Sequence, residues 1–173
     1  LESVNEAVAP RLSAQRLALL AVLAAEGDRH VSRERLTGLF WPDVDEERAR
    51  HSLRQAMYTL RHEVGREIIR SDFALSLDPS AITADVVEFR AALAAGQLAR
   101  AAGLYTGRFL EGFYLAGAPE FERWAEEERG RIHTAAVGAP ERLVAGASAQ
   151  DEPAEMLGWW RRVGELGPAR AGY

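Results

Sequence analysis

Apolar residues recur every three or four positions from Ala14 to Glu26, and this spacing predicts a first helix. Gly27 follows, and glycine readily takes the left-handed conformation that ends many helices. The residues before the helix, Leu1 to Ser13, lack such a period and predict a frayed lead-in. We expect the core-facing stripe to consist of Leu17, Leu20, Ala21 and Ala24, widened by Leu19, Val22 and Leu23.

A second, shorter helix is predicted to begin after Ser32, whose hydroxyl suits an N-cap. Pro42 limits it, because a residue that precedes proline is driven out of the helical conformation. An acidic turn comes next, in which Asp43 and Glu46 have the spacing of a capping box. We therefore expect a third helix at about residues 45–64, ending at Val64 or Gly65.

The third predicted helix has two distinct faces at about 100° per residue. Its apolar stripe contains Leu53, Met57, Leu60 and Val64, with Ala49 and Ala56 at the edges. Ser52 flanks one side of the stripe, and the other side is flanked by Arg50, Arg54 and Arg61. The opposite face carries Arg48, His51, Gln55, Tyr58, Thr59 and His62.

Two short strand-like runs, Glu67 to Arg70 and Ala74 to Leu77, follow the third helix. Ser71, Asp72 and Phe73 lie between them and predict the tip of a β-hairpin. Asp78-Pro79-Ser80 then interrupts the pattern and marks the predicted domain boundary. The order of helix, turn, helix and hairpin predicts a winged helix-turn-helix domain over residues 11–78.

Beyond Ser80 the pattern predicts only helices and loops, which we assign to a second domain at residues 82–173. Val86, Phe89, Leu93 and Leu98 fall in a helix pair divided near Gly96. A glycine-rich aromatic loop then leads to a long helix that starts near Pro119. Pro140 and several glycines lie inside or beside would-be helices, so we expect poor order from Gly138 onward.

Two side-chain clusters of the second domain invite interpretation. The run from Glu126 to Arg129 interleaves carboxylates with arginine and favours a solvated helix face. An aromatic cluster favours packing of the loop on the helices, and a groove for a protein or ligand is the other interpretation. Its members are Phe109, Phe113, Tyr114, Phe121 and Trp124.

Composition narrows the class of protein. The chain has 173 residues, 47% of them apolar, and a formal net charge of -5, which excludes a uniformly basic nucleic-acid coat. It has no cysteine, so disulfides and thiolate metal sites are excluded. We see no secretory signal and no apolar run of about 20 residues, and we expect a soluble cytoplasmic protein without a membrane partner.

Positive charge is nevertheless concentrated around the third helix. Between Arg48 and Arg70 there are six arginines and two glutamates. Arginine, glutamine and threonine are side chains that recognise base edges in the major groove. The base-reading candidates are Arg48, His51, Ser52, Gln55, Thr59 and His62. The phosphate-binding candidates, which would position the domain, are Ser32, Arg33, Arg54, Arg61, Arg66 and Arg70. A basic surface helix without a ligand is the other interpretation.

The first domain resembles the DNA-binding domain of SARP-type bacterial transcriptional activators, a winged helix of the OmpR/PhoB type. The resemblance is strongest in LFWPDVDEERARHSLRQ. The second domain resembles the start of the bacterial transcriptional activator domain (BTAD) of that family, above all in YTGRFLEGF and FERWAEEER. The similarity covers about Arg11 to Trp160.

The resemblance implies a sequence-specific activator whose third helix reads direct-repeat DNA, followed by a tetratricopeptide-like BTAD for dimerisation or regulation. It also implies that RNA polymerase or a sigma factor touches the loop with Trp41, Asp43 and Asp45. The family usually has a small sheet before the first helix, which LESVNEAVAPRLS is too short to supply. Its helical domain also continues through further repeats, so we expect a truncated C-terminal half and leave homodimerisation open.

These observations predict a mainly α fold: a winged helix-turn-helix with a small β-hairpin wing, then an incomplete tetratricopeptide-like helical domain. We expect a transcriptional regulator with double-stranded DNA as its partner. The alternative is a helical-repeat scaffold that contacts only protein. No catalytic residues, cofactor or metal are expected, because GxGxxG and GxxxxGK[ST] are absent and the four histidines are scattered.

Overall fold

The computed structural model describes residues 12–27, 29–71 and 74–146, together with Leu157 and Arg161. The side chains of Arg66, Ala99 and 139–146 are outside this description. The predicted hairpin tip at Asp72 and Phe73, and the lead-in before Leu12, also lie outside the described residues. Across these residues the chain is mainly α-helical with a two-stranded antiparallel sheet, which confirms the mainly α prediction. The chain divides into two compact units, Leu1–Ile82 and Thr83–Tyr173.

Helix α1 spans Ala14–Glu26, and Gly27 ends it with a φ of +61°, a conformation that favours glycine. The buried side of α1 is formed by Leu19, Val22 and Leu23. The prediction that Leu17 faces the core is wrong, since 42% of this residue is exposed. All residues from Leu17 to Ala25 are apolar. The spacing of apolar residues therefore does not identify the side of α1 that packs in the core.

Helix α2 spans Arg33–Phe40, with Ser32 as its N-cap, as predicted. Helix α3 spans Glu46–Val64 and ends at Gly65, also as predicted. The predicted capping box of Asp43 and Glu46 is wrong. The N-cap of α3 is Asp45, whose Oδ1 accepts a hydrogen bond from the amide of Arg48 at 3.0 Å. The turn after Pro42, in which the Val44 amide donates to the Trp41 carbonyl, delays the start of the helix.

The hairpin consists of β1 (Ile69–Ser71) and β2 (Leu75–Leu77), with Ser71 paired to Leu75 and Ile69 to Leu77. The first strand begins two residues later than predicted, because Arg66–Ile68 form a 3₁₀ turn. Val31, just before α2, adds a bridge that the pattern did not predict. Its amide donates to the Leu75 carbonyl at 2.7 Å, and the Leu75 amide donates back at 2.8 Å.

The core of the first unit is built around the apolar side of α3. Ala49, Leu53, Met57 and Leu60 are buried there, as predicted, while Val64 is half-buried. Helix α3 packs on both α1 and α2, and α1 also contacts β2. Leu36 and Phe40 close the core from α2. The opposite face of α3 is thereby left outside the core.

The second unit contains α4 (Asp85–Ala94), α5 (Leu98–Leu104) and α6 (Pro119–Gly146). Gly96 separates α4 from α5 with a φ of +71°, and α6 begins at Pro119, as predicted. The backbone of α6 continues through Pro140 to Gly146, so the proline and glycines there do not end the helix. The expectation of poor order from Gly138 onward falls mostly on residues outside the description. Proline deprives a helix of one donor, and here the other turns of this 28-residue helix maintain it.

Aromatic packing ties the loop after α5 to α6. The Phe121 and Trp124 rings lie 5.6 Å apart, and Phe109 and Phe113 approach them edge-on at 6.0 Å each. This supports the packing interpretation of the aromatic cluster. Tyr114 is not part of it, contrary to prediction, because it is 69% exposed.

The predicted solvated face at Glu126 to Arg129 is wrong at two positions. Glu128 is only 4% exposed and is ion-paired with Arg90 of α4 and with Arg131. Arg129 donates to the backbone carbonyls of Phe109 and Leu110, at 2.8 and 3.0 Å. The buried charge of Glu128 is thus paired, as a buried charge has to be. Arg129 joins α6 to the loop that follows α5.

No helix in the part of the chain that the structure describes has both the length and the apolar character needed to cross a bilayer.

We predict that Leu60→Ala lowers the free energy of unfolding by about 2–5 kcal/mol, because it leaves a cavity at a fully buried position. Leu17→Ala is the matched control, and it should lower stability by much less, since Leu17 is 42% exposed and its truncation leaves no enclosed cavity. Urea unfolding followed by circular dichroism measures both. Equal losses in the two variants would contradict the assignment of the core.

Candidate nucleic-acid interface

The exposed face of α3 carries four of the six base-reading candidates, Arg48, His51, Gln55 and His62. Ser52 and Thr59 are half-buried instead. On the helix wheel Thr59 lies nearly opposite Arg61, so these two half-buried residues face away from the flanking arginines. The face available to a ligand is therefore shifted toward Arg54 and Arg61, compared with the prediction.

Several of the arginines counted in the sequence are ion-paired. Arg48 Nε lies 3.3 Å from Asp45 Oδ2, and Arg50 Nη2 lies 2.5 Å from Glu46 Oε1. Both acids precede the counted segment from Arg48 to Arg70, so the sequence count overstated the free positive charge. Exposed pairs of this kind contribute only about 0–1 kcal/mol, and a phosphate can displace the carboxylate.

Arg54 and Arg61 differ from these arginines because neither is ion-paired with a carboxylate of the described residues. Arg54 is exposed, and its side chain makes no hydrogen bond or ion pair within the part of the chain that the structure describes. Arg61 is half-buried; one guanidinium nitrogen donates to the Ile69 carbonyl at 3.4 Å. Its Nε is buried and has no acceptor among the described residues. These guanidiniums therefore retain hydrogen-bonding capacity for an anion.

A concave groove of about 660 Å³ lies in the first unit, between the start of α2, the side of α3 and the hairpin. Its floor is apolar, formed by Leu53, Met57, Ile69 and Leu75. Its remaining lining is polar or basic and consists of Arg33, Glu34, Arg50, Arg54, Tyr58, Arg61, His62 and Ser71.

The start of α2 is tied to the hairpin at one end of this groove. Arg33 Nη2 donates to the Ser71 hydroxyl at 3.0 Å, and the Ser32 hydroxyl accepts from the Arg35 amide at 3.1 Å. Backbone hydrogen bonding at Glu34 and the Ser32 hydroxyl lower the pKa of the Glu34 carboxyl, with smaller contributions from Arg50 and Arg33. Glu34 is therefore ionised at neutral pH.

Arg70, a predicted phosphate ligand, is held by Asp78. Its Nε and Nη2 both lie 2.9 Å from Asp78 Oδ2. The other carboxylate oxygen accepts from the amide and hydroxyl of Ser80, at 2.9 and 2.6 Å. The Ser80 hydroxyl and amide, followed by Arg70, lower the pKa of Asp78 to about 2.

The remaining candidates are dispersed. Asp43 is exposed in the turn before α3, and Asp45 is that helix's N-cap. Trp41 is half-buried, with its ring 5.9 Å from that of Phe40. The backbone of Arg66 lies in the 3₁₀ turn, and its side chain is outside the description.

Sequence reasoning missed four polar residues that line the groove, Glu34, Arg50, Tyr58 and Ser71. Arg50 had a detectable signal, because the wheel placed it on the same flank as Arg54 and Arg61. Tyr58 was assigned to the exposed face, where it is 67% exposed, but was given no role. The proximity of the hairpin, which makes this flank concave, is not visible in a helical wheel.

No protein-family model matches the sequence, and a comparison with curated proteins found no significant match. Among the described residues, no group of three histidine, aspartate or glutamate side chains is placed to hold a metal ion.

We predict that a carboxyl NMR titration gives Asp78 a pKa near 2, below its usual 3.8. Because the folded-state pKa is lowered, the stabilisation is fully present above pH 3.8 and is lost as the pH falls toward 2. Ser80→Ala should raise the pKa of Asp78 and weaken this acid-dependent loss of stability. An Asp78 pKa that stays near 3.8 in the wild type would refute the assignment.

Proposed function

We propose that the first unit is a winged helix-turn-helix domain that inserts α3 into the major groove of duplex DNA. The order of α1, α2, the turn, α3 and the hairpin supports this. The Val31–Leu75 bridge supports it too, because it joins the hairpin to the segment that leads into α2. On this proposal the protein is a sequence-specific transcriptional regulator that acts as an activator.

One observation carries the proposal. After its first turn, α3 has an exposed face without carboxylates, while its other side is buried through Leu53, Met57 and Leu60. The major groove of B-DNA admits one α-helix, and the side chains near its N-terminal end meet the bases. Arg48, 84% exposed at its side chain, and His51 and Gln55 project from that part of α3.

The phosphate contacts of this proposal come from the flank of α3 that faces the hairpin. Arg54 and Arg61 have donors to offer, and the pairs of Arg48 and Arg50 are weak enough to exchange carboxylate for phosphate. Contacts of this kind release counterions, so the affinity for DNA should fall steeply with salt.

For the second unit we propose a tetratricopeptide-like BTAD. The packing of α4 on α5 as a helix pair divided at Gly96 supports it. RNA polymerase or a sigma factor would contact the turn with Asp43, and homodimerisation stays a prediction. The alternative, a scaffold that binds only protein, is favoured by a single observation, the exposed aromatic ring of Tyr58 on α3.

A preferred duplex is first selected from random sequences. The affinity of the protein for this duplex is then measured at several salt concentrations. The slope of log affinity against log salt should decrease by about 1 in Arg54→Ala, which removes one phosphate contact. Arg100→Ala is the control, since Arg100 is an exposed arginine of the second unit, paired with Glu88. Affinity without a steep slope in the wild type would favour the scaffold.

A second prediction separates base reading from phosphate binding. Gln55→Ala should lose discrimination at one base pair by about 1–3 kcal/mol, because a side chain that reads a base edge is removed. Arg54→Ala should weaken matched and scrambled duplexes by the same factor. Gel-shift titrations with both duplexes measure this, and identical patterns in the two variants would argue against the role of Gln55.

A further inference from the structure

The groove beside α3 combines an apolar floor with a basic rim. Its floor is apolar, with Met57 of α3 and Ile69 and Leu75 of the hairpin. Its volume of about 660 Å³ is within the range of about 300–1,000 Å³ that is typical of small-molecule sites. The phosphates of a DNA strand would contact the basic rim but would not cover the apolar floor.

The rim of the groove selects negative charge. Four guanidiniums, from Arg33, Arg50, Arg54 and Arg61, line the groove, and Glu34 is the one carboxylate among its described lining residues. Arg33 is hydrogen-bonded to Ser71 and Arg50 is ion-paired with Glu46, so Arg54 and Arg61 supply the positive charge for a ligand. Arg54 has no partner among the described residues, and the buried Nε of Arg61 has no acceptor there. Guanidinium groups bind carboxylates and phosphates through paired, charge-assisted hydrogen bonds.

We propose that this groove binds a small amphipathic anion: a phosphate monoester or carboxylate carried on an apolar aromatic body. The anionic group would lie on Arg54 and Arg61, and the body would cover the floor. The thioether of Met57 and the ring of Tyr58 favour an aromatic body over an acyl chain.

Simpler ligands would contact only part of the groove. Inorganic phosphate would satisfy the arginines but would cover none of the apolar lining of the groove. A neutral aromatic compound would cover the floor and leave the guanidiniums without an anion. Only a molecule with both parts matches the two linings at once.

The site has a consequence for regulation, which rests on the proposed DNA binding. The same guanidiniums would bind either the DNA backbone or the small anion, so occupation of the groove should reduce affinity for duplex DNA. Binding of the anion itself requires no DNA, so the two ideas fail independently.

The experiment uses the whole protein and 1-naphthyl phosphate as the probe, followed by its fluorescence anisotropy. Two partial probes, inorganic phosphate and 1-naphthol, are measured as competitors. We expect 1-naphthyl phosphate to bind at least about tenfold more tightly than either. Equal affinity for 1-naphthyl phosphate and inorganic phosphate would overturn the proposal and leave the groove a simple phosphate contact.

Variants then test the location of the site. Arg54→Ala should lower the affinity for 1-naphthyl phosphate by about tenfold, which is the effect of losing one charge-assisted hydrogen bond. Arg54→Gln is a second variant that keeps much of the side chain without its charge. Tyr58→Ala should lower the affinity for 1-naphthyl phosphate and leave the affinity for inorganic phosphate unchanged.

Arg48→Ala is the matched control for location, because Arg48 lies on the same helix and does not line the groove. It should bind the probe like the wild type while it loses affinity for DNA. Circular dichroism establishes that each variant is folded. Equal effects of Arg48→Ala and Arg54→Ala on the probe would refute the groove as its site.

Discussion

The one-sided burial of α3 is the constraint on which the first unit depends. Ala49, Leu53, Met57 and Leu60 place one side of the helix in the core against α1 and α2. A rotation of α3 by one residue, about 100°, would expose this stripe and move arginine toward the core. The orientation of the polar face is therefore a consequence of apolar packing, and the chemistry proposed for that face rests on it.

The hairpin adds concavity to this arrangement. Its backbone is joined to Val31, and its Ser71 hydroxyl accepts from Arg33, so the start of α2 and the two strands are tied together. The apolar residues Ile69 and Leu75 contribute both to the core and to the groove floor. Without the hairpin the flank of α3 would be a convex basic surface, which can attract phosphate but cannot enclose a small molecule.

Two sets of ion pairs in the molecule have different roles. In the second unit, the carboxylate of Glu128 is buried and paired with Arg90 and Arg131, so removing both arginines would leave a buried charge uncompensated. In the first, the pairs of Arg48 and Arg50 lie at the surface. The surface pairs reduce the free charge of the isolated protein, but their small stability lets an anionic partner replace the acids. A pairing that supports the fold thus differs from one that leaves the arginines available.

Local features of the sequence determined the bounds of α1, α2 and α3 closely, together with the break at Gly96, the start of α6, the two faces of α3 and the caps at Gly27, Ser32 and Gly65. The reason is that periodicity and capping act within a few residues. The tertiary structure decided which side of α1 is buried, the pairing of Val31 and the burial of Glu128. Each of these depends on a partner distant in sequence. The groove belongs to the same group, since its basic rim and apolar floor come from three segments that only packing brings together.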